Sequence, residues 1–214
     1  MEGEKRYIAV EGPIGVGKTT LARMLATALD GDLLLERTED NPFLEKFYQD
    51  RRRHALQTQL FFLVTRYQQQ KDLNQLDLFQ RIIVSDHLFD RDRIFAHINL
   101  DKDELRLYDS IYTLLEARIT RPDLVILLQA RPEILKERIR TRGKRRERDI
   151  SLEYLEEVAE AYKDYFFYYS DSPLLVVDAT EIDFVRHKDD FDDLLREIKE
   201  TRQGTTYYMP LGSR

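Results

Sequence analysis

Residues Gly12-Pro13-Ile14-Gly15-Val16-Gly17-Lys18-Thr19 fit the spacing G-x-x-x-x-G-K-S/T at every position. Glycines at such positions let the backbone curl until several N–H groups face phosphate oxygens, and the positive end of a following helix adds to that field. Lys18 can reach β- and γ-phosphates, and the Thr19 hydroxyl can ligate Mg²⁺. An ATP site is therefore expected from Gly12, Pro13, Ile14, Gly15, Val16, Gly17, Lys18, Thr19 and Thr20. The loop alone does not separate a kinase from a GTPase or a motor. No Asn-Lys-x-Asp guanine-reading motif occurs, and 214 residues leave little room for motor machinery. A small-molecule kinase fits best.

Phosphoryl transfer needs acids in two roles: one accepts the proton of the attacking hydroxyl, the other holds the metal. Glu36 and Asp86 each end a short apolar run. In a parallel sheet both would lie at the edge that carries the phosphate loop. Glu36 is assigned as general base and Asp86 to Mg²⁺. A basic island supplies the opposite charge, with seven basic residues and one acid between Arg138 and Arg148. Arg138 and Arg142 are four apart and share a helical face. Gly143 then breaks the helix, and Lys144 to Arg148 follow as a mobile loop. Guanidinium forks suit the spread charge of a γ-phosphoryl group in transit. A loop closing over them excludes water, the competing nucleophile.

The elements that must position these groups follow from periodicity. Runs at 7–10, 32–36, 81–86, 123–130 and 173–178 are rich in Val, Ile and Leu without alternation, as in strands covered on both faces. Helical patterns fall at 18–30, 41–50, 53–76, 102–120, 131–142, 151–170 and 188–201. Leu152, Leu155, Ala159, Tyr162 and Phe166, for example, make one apolar stripe. The alternation predicts an α/β fold of the P-loop kinase kind. Its five-stranded parallel sheet is flanked by helices and forms one domain over 1–214, with an Arg-rich lid at about 142–150. The tail 203–214 has no periodicity and receives no element. Gln59 and Arg66 are seven apart, in line along one helix with Leu63 between them, placed to read a polar edge. Leu60, Phe61, Phe62 and Val64 give the same helix a second apolar face, broad enough for a partner subunit.

Composition narrows the rest. The 34 Lys and Arg against 40 Asp and Glu give a charge of −6, which argues against a nucleic-acid partner. Without cysteine, disulfides, thiol nucleophiles and Cys-ligated zinc are excluded. His54, His87, His97 and His187 have no metal-binding spacing. Apolar runs such as Leu124–Leu128 are too short to span a bilayer, and residues 1–5 lack a signal-peptide pattern. A cytoplasmic protein without a membrane partner is expected.

Taken together, Gly12–Thr19, Glu36 with Asn41-Pro42-Phe43-Leu44, Tyr48, Gln59, and Arg142-Gly143-Lys144 through Leu152-Glu153-Tyr154-Leu155-Glu156 resemble the deoxyribonucleoside kinases. The similarity is greatest to their bacterial deoxyadenosine/deoxyguanosine kinase branch and covers most of residues 7–200. It implies transfer of the γ-phosphate of ATP to a deoxynucleoside 5′-hydroxyl, with Mg²⁺, by a homodimer. It makes Glu36 the base and gives the sugar 3′-hydroxyl to Tyr48 and Glu147. Gln59 would meet the nucleobase edge, with Arg66 and Asp92 also in the substrate site, and Phe95 would pack on the base. Arg138 and Arg142 match the phosphate-gripping arginines. The family's acid-Arg-Ser motif reads Ser85-Asp86-His87 here, so its arginine has moved. Arg91 is the first replacement and Arg93 the second.

Two other readings stay open on the sequence. A thymidylate-type monophosphate kinase shares the loop and lid, and Arg51-Arg52-Arg53 offers it basic residues. Arg37-Thr38-Glu39-Asp40 has one Arg among acids and favours a neutral acceptor instead. A nucleotide-binding regulatory module that transfers nothing is the non-enzyme alternative.

Overall fold

The computed structural model describes residues 7–75, 82–144, 147, 149–182, 184 and 187–209. Five strands lie where apolar runs predict them: β1 (Tyr7–Glu11), β2 (Asp32–Leu34), β3 (Ile83–Ser85), β4 (Leu124–Gln129) and β5 (Leu174–Asp178). A sixth, β6 (Thr205–Tyr208), comes from the tail that carries no apolar run. The strand order is β2-β3-β1-β4-β5-β6, with every neighbouring pair parallel. Unlike the central strands, β6 lies at an edge and alternates exposed and half-buried positions, which is why its sequence is polar.

Helices α1 (Lys18–Ala28), α2 (Leu44–Gln49), α3 (Arg51–Gln75), α4 (Arg91–Asn99), α5 (Lys102–Glu116), α6 (Pro132–Arg142), α7 (Leu152–Phe167) and α8 (Lys188–Glu200) connect the strands. The 41–50 pattern shortens to α2, and a 3-10 turn, Thr38–Asp40, precedes it. Helix α4 has no counterpart among the predicted elements. Its nine residues include three arginine or aspartate side chains ahead of Ile94, and two of these, Arg91 and Asp92, are buried beside Ile94 and Ala96, so its inner face mixes charged and apolar groups. An apolar-period search passes over such a helix.

The main core is built from the inner strands, α1, α6, α7 and α8, with Ala9, Val10, Leu21, Leu25, Val125, Ile126, Leu127, Leu155 and Leu194 all essentially inaccessible. A second cluster of Leu63, Phe89, Ala96, Tyr108 and Tyr112 fastens α3, α4 and α5 together. Chain passage from β1 to β2 runs to one side of β1, and β4 pairs on its other side. The loop after β1 therefore sits at the point where the strand order reverses, the usual ligand crevice of such sheets. Strand β6 lies three positions from β1. Deleting residues 203–214 should consequently lower the melting temperature by roughly 2–8 °C while leaving both substrate constants unchanged. An unaltered melting curve would contradict the contribution given to β6.

Candidate active site

Strand β1 delivers the chain to the phosphate loop, and backbone geometry there explains the glycines. Gly12 has φ 141°, and a Cβ would collide with the Leu128 carbonyl oxygen. Gly15 has φ 87°, and a Cβ would meet the Leu135 carbonyl of α6 at 2.9 Å. Neither position admits a side chain. The buried Lys18 amine donates to the carbonyls of Gly12 at 2.7 Å and Pro13 at 3.0 Å. Burial and the nearby Arg91 charge push its pKa down to about 7. Thr19 donates its hydroxyl to Asp86 at 2.6 Å. Thr20 is exposed on the first turn of α1.

Asp86 follows β3 directly, and Glu36 stands two residues beyond β2. Both line one cavity with Lys18, of about 600 Å³. Asp86 accepts the Glu36 backbone N–H at 2.7 Å, so the two strand ends are tied together. Burial would raise the Asp86 pKa, but hydrogen bonds from His87, Thr19 and the Glu36 backbone lower it below the usual value. The Glu36 carboxylate is held by two guanidinium groups. Arg91 donates to Oε2 at 2.8 Å, and Arg66 contacts Oε1 while also contacting Asp92. Burial again acts to raise the pKa; the charges of Arg66 and Arg91 overcome it and hold Glu36 well below the carboxylate range. Arg93 lies over the Tyr112 ring at 5.2 Å instead.

Away from the phosphate loop, the same cavity is lined by Tyr48, Gln59, Arg66, Asp92, Phe95 and Glu147. Gln59 is 2% exposed, and its Oε1 has no hydrogen-bond partner. A buried amide oxygen left open costs about 1–3 kcal/mol, and a bound polar edge would recover it. Phe47, Phe62 and Tyr154 also line this region. The second apolar face expected on α3 is thus narrower than its sequence implies. Phe62 turns into the cavity, Leu60 packs on the cluster shared with α5, and Val64 is left exposed.

From the lid, Arg142 and Lys144 reach the cavity wall. Arg142 pairs with Glu147, and Lys144 reaches Glu39 at 3.2 Å across the mouth. Arg145, Arg146 and Arg148 lie outside the described residues. Arg138 shares a helix with Arg142 but not its direction. Its guanidinium donates to the backbone carbonyls of Ala179 at 2.8 Å, Val16 at 3.3 Å and Ile182 at 3.4 Å, behind the phosphate loop and not in the cavity. One residue of consequence escapes the sequence reading. Glu11 ends β1 at 0% exposure and accepts hydrogen bonds from Gly12 N, Leu88 N and the Tyr162 hydroxyl. The criterion that singles out Glu36 and Asp86, an acid closing an apolar strand, applies to it equally.

For a metal, the Thr19 hydroxyl and the Asp86 carboxylate form an all-oxygen pair suited to Mg²⁺, which normally completes its shell with water and phosphate oxygens. Among the described residues no cluster of three or more His, Cys, Asp or Glu offers a self-sufficient metal cage. A bound triphosphate should restore the charged form of Lys18. Near pH 8, between the free value of about 7 and the ordinary 10.5, binding should take up a proton. Calorimetry of ATP binding with magnesium, in buffers of different ionisation enthalpy, measures this directly. Zero uptake would contradict the shifted lysine.

Known proteins resemble this chain along most of its length. The deoxynucleoside kinase family model matches residues 8–202. The deoxyguanosine kinase of Bacillus subtilis (strain 168) is 36% identical over 200 residues, covering 91% of this chain and 96% of that protein. A deoxyadenosine kinase of Dictyostelium discoideum is 36% identical over 167 residues, 76% of this chain and 67% of its own. Among solved structures, deoxyadenosine kinase from M. mycoides with bound dATP superposes with a TM-score of 0.79 at 27% identity, covering 91% of this chain and all of that one. With a family model matched over residues 8–202 and a relative 36% identical across 91% of its length, the chain belongs to the deoxynucleoside kinase family.

Proposed function

We propose that the chain transfers the γ-phosphate of ATP to the 5′-hydroxyl of a purine deoxyribonucleoside, deoxyguanosine or deoxyadenosine. One observation carries the reading: Glu36, held ionised by Arg66 and Arg91, shares a cavity with Lys18 at one side and the unpartnered Gln59 amide oxygen at the other. ATP lies on Gly12–Thr20. Lys18 holds the β- and γ-phosphates. Glu36 accepts the hydrogen bond of the attacking hydroxyl. Each carboxylate oxygen takes one arginine N–H and keeps a lone pair for it. So acidic a group is a weak base. In a loose transition state the hydroxyl proton leaves late, and alignment then matters more than basicity.

Mg²⁺, held by Thr19 and through Asp86, would neutralise charge developing on the phosphates. Arg91 and Arg142 stabilise the group in flight, and Arg138 braces the loop from behind. Tyr48 and Glu147 hold the sugar 3′-hydroxyl. Gln59, with Arg66 and Asp92 beside it, meets the base edge, and Phe95 packs on its face. The deoxyguanosine and deoxyadenosine kinases among the relatives support a purine. Acids at Glu36, Glu39 and Asp40 on the same wall support a neutral acceptor over a monophosphate.

The protein works as a homodimer in the cytoplasm. Val64 of α3 and Leu107 and Leu114 of α5 are large apolar side chains more than half exposed, and a second copy would cover them. No helix among the described residues is long and apolar enough to cross a membrane.

Assays with ATP and each of the four deoxynucleosides should give deoxyguanosine or deoxyadenosine the highest kcat/KM. Turnover of pyrimidines alone, or of thymidine monophosphate alone, would overturn the assignment. Glu36→Gln should cut kcat by roughly 10²–10⁴ with ATP binding kept within about threefold. Undiminished turnover in that variant would remove Glu36 from the chemistry.

A further inference from the structure

The buried Glu11 carboxyl has no part in the reaction above, yet it touches three elements that do. Its Oε2 accepts the Gly12 N–H at 2.9 Å, the first amide of the phosphate loop, and the Tyr162 hydroxyl at 3.0 Å. Its Oε1 accepts the Leu88 N–H at 2.7 Å, in the segment joining Asp86 to Arg91. Tyr162 belongs to α7, the helix that follows the lid, and its ring meets Phe95 edge-on with centroids 6.1 Å apart. Burial and the Glu11 charge keep the Tyr162 phenol protonated, hence a donor.

All three partners are donors, and two are backbone groups that cannot turn. A glutamine in this place would set its NH₂ against Leu88 N–H or Gly12 N–H, leaving one donor facing another. The requirement is therefore for a carboxyl group and not merely for a polar side chain of this size.

We propose that Glu11 is a positioning residue that fixes the acceptor wall against the phosphate loop through Tyr162. Its Oε2 joins Gly12, where ATP is held, to the ring that backs Phe95. Its Oε1 sets the segment leading into α4, from which Arg91 reaches Glu36. The idea rests on the acceptor base lying against Phe95.

Four variants test it: Tyr162→Phe, Glu11→Gln, Glu11→Ala and Phe95→Ala, assayed with ATP and deoxyguanosine or deoxyadenosine, whichever turns over faster. Tyr162→Phe keeps the ring and its packing. It should raise the acceptor KM about three- to tenfold and hold the ATP KM within about twofold. Glu11→Gln should lower kcat by about 10- to 100-fold and raise both KM values. Glu11→Ala removes the acceptor of the Tyr162 hydroxyl altogether, so adding Tyr162→Phe to it should raise the acceptor KM no further. A purely structural role would lower the melting temperature without splitting the two KM values.

An unchanged acceptor KM in Tyr162→Phe overturns the proposal, as does an undiminished Tyr162→Phe effect in a folded Glu11→Ala background. Should Glu11→Gln fail to fold, Tyr162→Phe decides alone. If Phe95→Ala leaves the acceptor KM unchanged, the base does not lie there and the proposal falls with its premise. That result is distinct from a failure of Glu11 itself.

Discussion

Glu36, with its side chain 8% exposed, lies between Arg66 of α3 and Arg91 of α4. Asp92, 1% exposed, takes the other side of Arg66. Two carboxylates and two guanidinium groups thus alternate in a nearly dry place. Removing any one would leave a partner's charge uncompensated, at a cost of about 3–5 kcal/mol. This alternation ties together the segment after β2, the middle of α3 and the first turn of α4, three stretches far apart in the chain. It also keeps the acid at the sheet edge, the proposed partner of the attacking hydroxyl, ionised throughout the working pH range.

The sheet supplies the other half of the geometry. Parallel strands send β1, β2 and β3 to the same edge, so Lys18, Glu36 and Asp86 converge without any local sequence relation. The Asp86 carboxylate then joins the Glu36 backbone to Thr19 at the start of α1. Above them the lid is anchored at its described residues by two ion pairs, Arg142 with Glu147 and Lys144 with Glu39. Both pairs are partly exposed, so each is individually weak.

Much of this is legible in the residues. The phosphate loop is local, and its glycines, lysine and threonine read directly. Glu36 and Asp86 follow from asking which acids end apolar strands. Gln59 and Arg66 pair by helical spacing alone, and both line the cavity. What stays hidden does so for physical reasons. Helix α4 is nine residues long and buries Arg91 and Asp92 along with Ile94 and Ala96, so its inner face gives no continuous apolar period. Strand β6 is an edge strand with exposed side chains, and only pairing with β5 reveals it. Arg138 and Arg142 share a helix face by spacing, but long side chains diverge, and Arg138 is spent on backbone carbonyls. Which residue a guanidinium reaches depends on tertiary packing that spacing does not encode. The two alternative readings lose their ground to the family match across 8–202.

One carboxylate kept charged by two arginines is the hinge of the proposed mechanism. Side-chain ¹³C NMR of the Glu36 carboxyl through an acid titration measures that directly, and Arg66→Met and Arg91→Met serve as controls. The expected result is no Glu36 titration in the range where ordinary carboxylates protonate, with a midpoint moving upward in each variant. A midpoint at the ordinary 4.5 or above in the unaltered protein would contradict it.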